Sequence, residues 1–120
     1  MADQTPILDP SVLAELRESV GDDDAFIAEL VSTYVAEGRD HFAAMDAAVA
    51  ARDAGAAVRP AHTLKSSSAA LGAMRLAQIA REIEFAGREG DATGLAERVA
   101  AARAAWDETV SELAAAGLMP

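Results

Sequence analysis

The sequence predicts an all-α fold, and three observations carry that expectation. Alanine dominates the composition, with leucine, glutamate and arginine, the residues that lose least on entering a helix. Aromatic and β-branched residues, which favour strands, are scarce. Apolar residues recur at three- and four-residue steps, and no alternating run long enough for a strand occurs.

Asp9-Pro10 opens the first helix, with Asp9 as N-cap and Pro10 in the first position, where a missing amide hydrogen costs nothing. That helix runs to about Val20 and stops at Gly21. Asp22, Asp23 and Asp24 then set negative charge at the positive end of a long second helix. Its inward residues are Ile27, Leu30, Val31, Tyr34, Phe42, Met45 and Val49. Gly38, in its middle, costs about 1 kcal/mol relative to alanine and marks close packing or a slight bend. Asp53 to Ala57 is a turn or a helix start. Because Pro60 cannot donate a backbone bond, the third helix begins near residue 59 or is kinked there, and Gly72 ends it or turns it tightly into the next. Leu76, Ile79, Ala80, Ile83 and Ala86 form the apolar stripe of a fourth helix that closes at Gly87 to Gly90. The last helix runs from about Asp91 to Ala115, with Leu95, Val99, Ala102, Trp106, Val110 and Leu113 inward. Short loops between four amphipathic helices predict an antiparallel four-helix bundle, capped at one end by the short N-terminal helix. Residues 1–120 are expected to form a single domain, with residues 1–6 flexible.

Composition narrows the function. A formal charge of −10 lacks the clustered Lys and Arg that phosphate backbones require, which argues against nucleic acid. No basic-then-apolar leader is present, and no apolar run approaches the roughly 18 residues of a membrane span, so a cytoplasmic protein without membrane attachment is expected. The absence of cysteine excludes disulfides, thiolate metal sites and thiol catalysis. His41 and His62 are 21 residues apart with no Glu-x-x-His motif, a poor basis for a metal site, and His41 reads as a packing or surface residue. There is no glycine-rich phosphate loop, kinase signature or dinucleotide fingerprint. No metal or other cofactor is therefore expected, and any phosphoryl group must arrive on a partner.

The chemistry concentrates in His62-Thr63-Leu64-Lys65-Ser66-Ser67-Ser68-Ala69-Ala70-Leu71-Gly72. At about 100° per residue, Lys65, Ser66 and Ala69 fall within roughly 60° of His62, while Leu64 and Leu71 fall near the opposite pole. A nucleophilic ring is thus held outward beside one cation and two small side chains. An unperturbed imidazole titrates near about 6.5, which leaves much of it neutral at pH 7. The three serines read as small helical residues that pack closely and bond back to a carbonyl, since nothing like a hydrolase elbow accompanies them. Glu84 and Arg88 have the i, i+4 spacing of an ion pair. Counted from Gly72, His62 lies ten residues before the turn and Glu84 and Arg88 twelve and sixteen after it. An antiparallel pairing would therefore bring both toward the histidine.

Ala61 to Ser68, continued by Leu71-Gly72-Ala73, resembles the signature of histidine phosphotransfer (HPt) domains of bacterial two-component phosphorelays. The resemblance extends over nearly the whole chain, through Leu8-Asp9-Pro10, Gly21-Asp22-Asp23 and the Leu76 to Arg88 stretch with its Ile83-Glu84 pair. It implies a four-helix bundle with an N-terminal cap, with His62 as the phosphorylated residue. Lys65, Ser66, Arg88 and Glu84 would support the phosphoryl site, Ala69 and Arg59 would belong to the docking surface, and Leu64 and Leu71 to the core. Ser66 stands where many members have glycine. The implied partners are response-regulator receiver domains and a sensor or hybrid histidine kinase, with the divalent cation on the receiver and the chain itself a monomeric carrier instead of an enzyme. Two rival classes fit less well: an adaptor would lack the histidine, and a cofactor-binding bundle would turn polar ligands inward. A detached substrate domain of a chemotaxis-like kinase would share the chemistry and differ in its donor.

Overall fold

The computed structural model describes residues 5–119, which form helices and turns with no strand among them. The elements are α1 (Pro10–Ser19), α2 (Asp24–Ala51), a short 3₁₀ turn (Ala54–Ala57), α3 (Val58–Ala70), α4 (Met74–Arg88) and α5 (Leu95–Ala115). At about 1.5 Å per residue, the 28 residues of α2 span nearly the whole 44 Å length of the molecule. Helix α2 packs on α3 and α5, and α4 packs on the same two. No described helix is long and apolar enough to cross a membrane.

Aspartates start three of these elements by accepting otherwise unpaired amide hydrogens. Asp9 Oδ1 takes the Ser11 amide at 3.0 Å, Asp23 Oδ1 the Phe26 amide at 3.1 Å, and Asp53 Oδ1 the Ala56 amide at 3.2 Å. The 3₁₀ turn runs directly into α3, which begins at Val58, so Pro60 occupies the first helical turn, where no intrahelical bond is lost. Gly72, at φ +84°, closes the α3–α4 turn, and its carbonyl accepts the Asp9 amide at 2.8 Å. Arg75 ties down the segment before α1, its amide bonding the Pro6 carbonyl at 3.1 Å and its Nε the Thr5 carbonyl at 2.9 Å. The flexibility expected for residues 1–6 falls, for residues 1–4, outside the described residues.

The start of α5 is a correction. The helix begins at Leu95 instead of Asp91, because Gly94 sits at φ +77° and Asp91 turns back on the Thr93 amide at 2.9 Å.

Side chains from α2 to α5 fill one core, in which Ile27, Val31, Met45, Leu64, Leu76, Ile83 and Leu113 have no exposed surface. Burying one such side chain contributes about 1.5–3 kcal/mol. Gly38 marks close packing: a Cβ there would run into the Trp106 indole, which stands 5.2 Å from the Tyr34 ring and 5.6 Å from the Phe42 ring. Leu30, expected inward, is exposed, on the wall of an open groove that it shares with Leu16 of α1. Val49, Ile79 and Val110 are only partly buried, at the margin of the core.

Candidate functional site

Helix α3 is held from behind. Ala61 and Leu64 are fully buried, and Ser68, also buried, shares a 2.8 Å hydrogen bond with the Tyr34 hydroxyl of α2. Burial pushes that hydroxyl up to about 12, against the lowering effect of the bond. Ser67 returns its hydroxyl to the Thr63 carbonyl at 3.0 Å, as expected for a small helical serine. With its back fixed in this way, α3 carries His62 outward, the side chain 54% exposed.

Helix α4 supplies the other wall. Ala80 and Ile83 enter the core, and Gly87 lets the helix come close to the start of α3. A Cβ on Gly87 would stand 2.6 Å from Val58 Cγ2 and 2.7 Å from the Ala54 carbonyl oxygen. The approach places the Glu84 carboxylate, with only 8% of its side chain exposed, between three donors. Oε1 accepts from Lys65 Nζ at 2.6 Å, and Oε2 accepts from Arg88 Nη2 at 2.7 Å and from His62 Nδ1 at 2.8 Å. Lys65 and then Arg88 hold the carboxyl down at about 2 against the opposing effect of burial, and the His62 bond adds to the lowering.

That ionisation fixes the tautomer. A carboxylate can only accept, so Nδ1 of a neutral His62 carries the hydrogen and the ring's lone pair lies on Nε2. Nε2 has no hydrogen-bond partner among the described residues. The site is thus a half-exposed imidazole with an oriented free nitrogen, beside two cations and one anion, in a chain of net charge −10.

His62, Lys65, Glu84 and Arg88 therefore meet in one network, in which Glu84 makes both the i, i+4 ion pair and the contact across helices. Lys65 is held by Glu84 in this state instead of standing free beside the ring. Ser66 and Arg59 are exposed and Ala69 is partly buried on the same helix, and none of the three joins the network. His41 is partly buried on α2, its Nε2 shielded and without a partner.

One feature was not foreseen. Leu16, Phe26, Leu30, Tyr34, Ala70 and Leu71 line an apolar groove of about 350 Å³ between α1, α2 and α3, with Glu29 and Glu37 also along it. On α3, Ala70 and Ser67 lie about 80° and 140° from His62 toward α2, so the groove flanks the histidine on the side away from Lys65. The available signal was Phe26-Ile27 followed by Leu30-Val31, an apolar band wider than one buried face needs.

The family model of the Hpt domain matches residues 29–116. The chain belongs to the Hpt domain family. Such domains are phosphocarriers that meet receiver domains and kinases, so this Hpt chain has a histidine phosphotransfer role in phosphorelays. Its helical fold is that of the crystal structure of histidine-containing phosphotransfer protein B (HptB) from Pseudomonas aeruginosa PAO1. The match has a TM-score of 0.79 at 28% identity and covers 88% of this chain and 90% of that one. No curated protein matches the sequence.

Proposed function

We propose that this Hpt chain accepts a phosphoryl group on His62 from the phosphoaspartate of a receiver domain or hybrid kinase and passes it to another receiver. The observation that carries the reading is the 2.8 Å bond between Nδ1 and Glu84, which leaves Nε2 free on an exposed ring. Nε2 attacks phosphorus in line as the bond to the aspartyl oxygen breaks, a reaction that depends mainly on positioning and charge. Lys65 and Arg88 supply positive charge beside the incoming group. Ser66 and Ala69 keep the approach low, and Arg59 lies at its edge. The groove beside His62 receives the apolar docking surface of the receiver, which also brings the divalent cation. The chain acts as a monomeric carrier without kinase activity of its own, in the cytoplasm, and its long helices are read as an antiparallel bundle capped by α1.

Incubation with a phosphorylated receiver tests the reading. Label should appear in an acid-labile, alkali-stable form and disappear in His62→Gln. That variant should keep its fold, since an exposed substitution changes stability by under about 0.5 kcal/mol. Undiminished labelling of His62→Gln would overturn the assignment.

A further inference from the structure

We propose that the outer face of α4 pairs with the same face of a second copy about a two-fold axis at Phe85, and that this pair, which draws on Arg88, is the resting form of the carrier. The part played by Arg88 rests on His62 being the phosphorylated residue.

Phe85 stands out on that face, 67% exposed, while its neighbours Glu84 and Ala86 are buried. On a helix, Arg81 and Glu89 lie within about 40° of it, and Glu82 and Arg88 within about 60°. All four are exposed, and Arg81, Glu82 and Glu89 make no ion pair among the described residues. Glu82 and Glu89 have no cation three or four positions away on their own helix. An open groove of about 610 Å³ runs beside Phe85, between α4 and the start of α5, and reaches Gln78 and Arg98.

The order of the signs names the occupant. Counted outward from Phe85, Arg81 and Glu82 on one side mirror Glu89 and Arg88 on the other with every sign reversed. In an antiparallel contact, a residue so many places before Phe85 meets the one as many places after it. Arg81 therefore faces the second copy's Glu89, and Glu82 faces its Arg88. Each contact occurs twice, because a two-fold interface sets the same surface against itself. The two Phe85 rings meet at the axis, with the groove as room for them to pack. The four charges sum to zero, so a strongly acidic or basic partner would be repelled by half of them.

Arg88 joins this face to the histidine. Its side chain is 62% exposed and gives one Nη2 hydrogen to Glu84 at 2.7 Å. A guanidinium has five donors in a fixed fork, so Arg88 serves Glu84 and the second copy's Glu82 together. A phosphoryl group on His62 sets new negative charge beside the same guanidinium, which turns to it and leaves that Glu82 unpaired. Two chains of net charge −10 already repel, which keeps the pair weak enough to release. Resting carriers pair, and loaded carriers work singly.

Sedimentation equilibrium of the full chain tests this, from about 10 μM to about 1 mM at about 0.15 M salt, the range for a small interface. The mass should rise from 12.4 kDa toward double that value. Phe85→Ala, at an exposed position, should weaken pairing by about tenfold or more. Arg81→Glu and Glu89→Arg each set like charges opposite one another, so each should stay single alone. Mixed together the two should pair, since every contact between them is again of opposite sign. Apolar association without this register would treat the mixture like its components.

Single variants that pair as readily as the unaltered chain would overturn the proposal, as would a chain that stays at 12.4 kDa throughout. In the latter case, slower receiver transfer by Phe85→Ala would give the face to the receiver. Phosphorylation with phosphoramidate should weaken pairing about tenfold, and a pair that persists unchanged would overturn its role as the resting form. Labelling that survives His62→Gln would defeat the carrier reading instead, so the two failures are distinguishable.

Discussion

Two oxygens of Glu84 serve three donors from two helices, and this sharing gives each neighbour a separable role. Lys65→Ala and Arg88→Ala should each slow transfer from a receiver, because a cation counts for more at a partly desolvated interface than in open water. Each should also lower the melting temperature modestly while the bundle still folds, since each removes a donor from the Glu84 carboxylate. Rates equal to the unaltered chain across several receivers would return both to ordinary surface charge. Acid should act through Glu84 itself. Its folded carboxyl is lowered from 4.5 to about 2, so its contribution to stability is present above pH 4.5 and is lost as pH falls toward 2. Acid titration of unfolding should show that loss, and Glu84→Gln should flatten it. The outward His62 with Lys65 beside it was legible from helical spacing alone. The contact with Glu84 was legible only as a count of residues either side of Gly72, which gives height along the helices and says nothing about distance between them. That Lys65 would spend itself on Glu84 was not legible, since a long flexible stem takes whichever carboxylate the neighbouring helix presents.

At the scale of elements, the distance between α3 and α4 is set by Gly87. Gly87→Ala forces its methyl against Val58 and the Ala54 carbonyl, and such overpacking costs about 1–3 kcal/mol. The melting temperature should drop, and the ¹⁵N signature of the Nδ1 hydrogen bond should weaken as α4 is pushed off. A variant that melts normally and keeps that bond would show that the helices have room to spare. The helices themselves were readable because caps and breakers are local: aspartates start α1 and α2, and Gly72 closes α3. The start of α5 was misplaced because Asp91 looks like an N-cap, whereas the left-handed Gly94 defers the helix to Leu95. Leu30 fits the α2 stripe by spacing, but it faces an open groove, and periodicity does not encode whether a neighbouring element fills the space beside a stripe.

Across the whole molecule, the histidine chemistry lies between α3 and α4, whereas the apolar groove lies between α1, α2 and α3. The two should fail separately. Leu30→Glu places charge in the groove at an already exposed position, so it should weaken receiver binding and transfer by tenfold or more, equivalent to about 1.4 kcal/mol. Chemical phosphorylation of His62 by phosphoramidate should be unaffected. Unimpaired transfer by that variant would move the docking surface elsewhere. The same layout has an optical consequence. Trp106 is the chain's single tryptophan, and the Tyr34 ring that it touches at 5.2 Å also lines the groove. Its fluorescence should therefore report unfolding, as the indole meets water, and any displacement of Tyr34 that accompanies occupation of the groove. Partner titrations can be read by eye of the spectrometer alone, with no dye attached to the molecule.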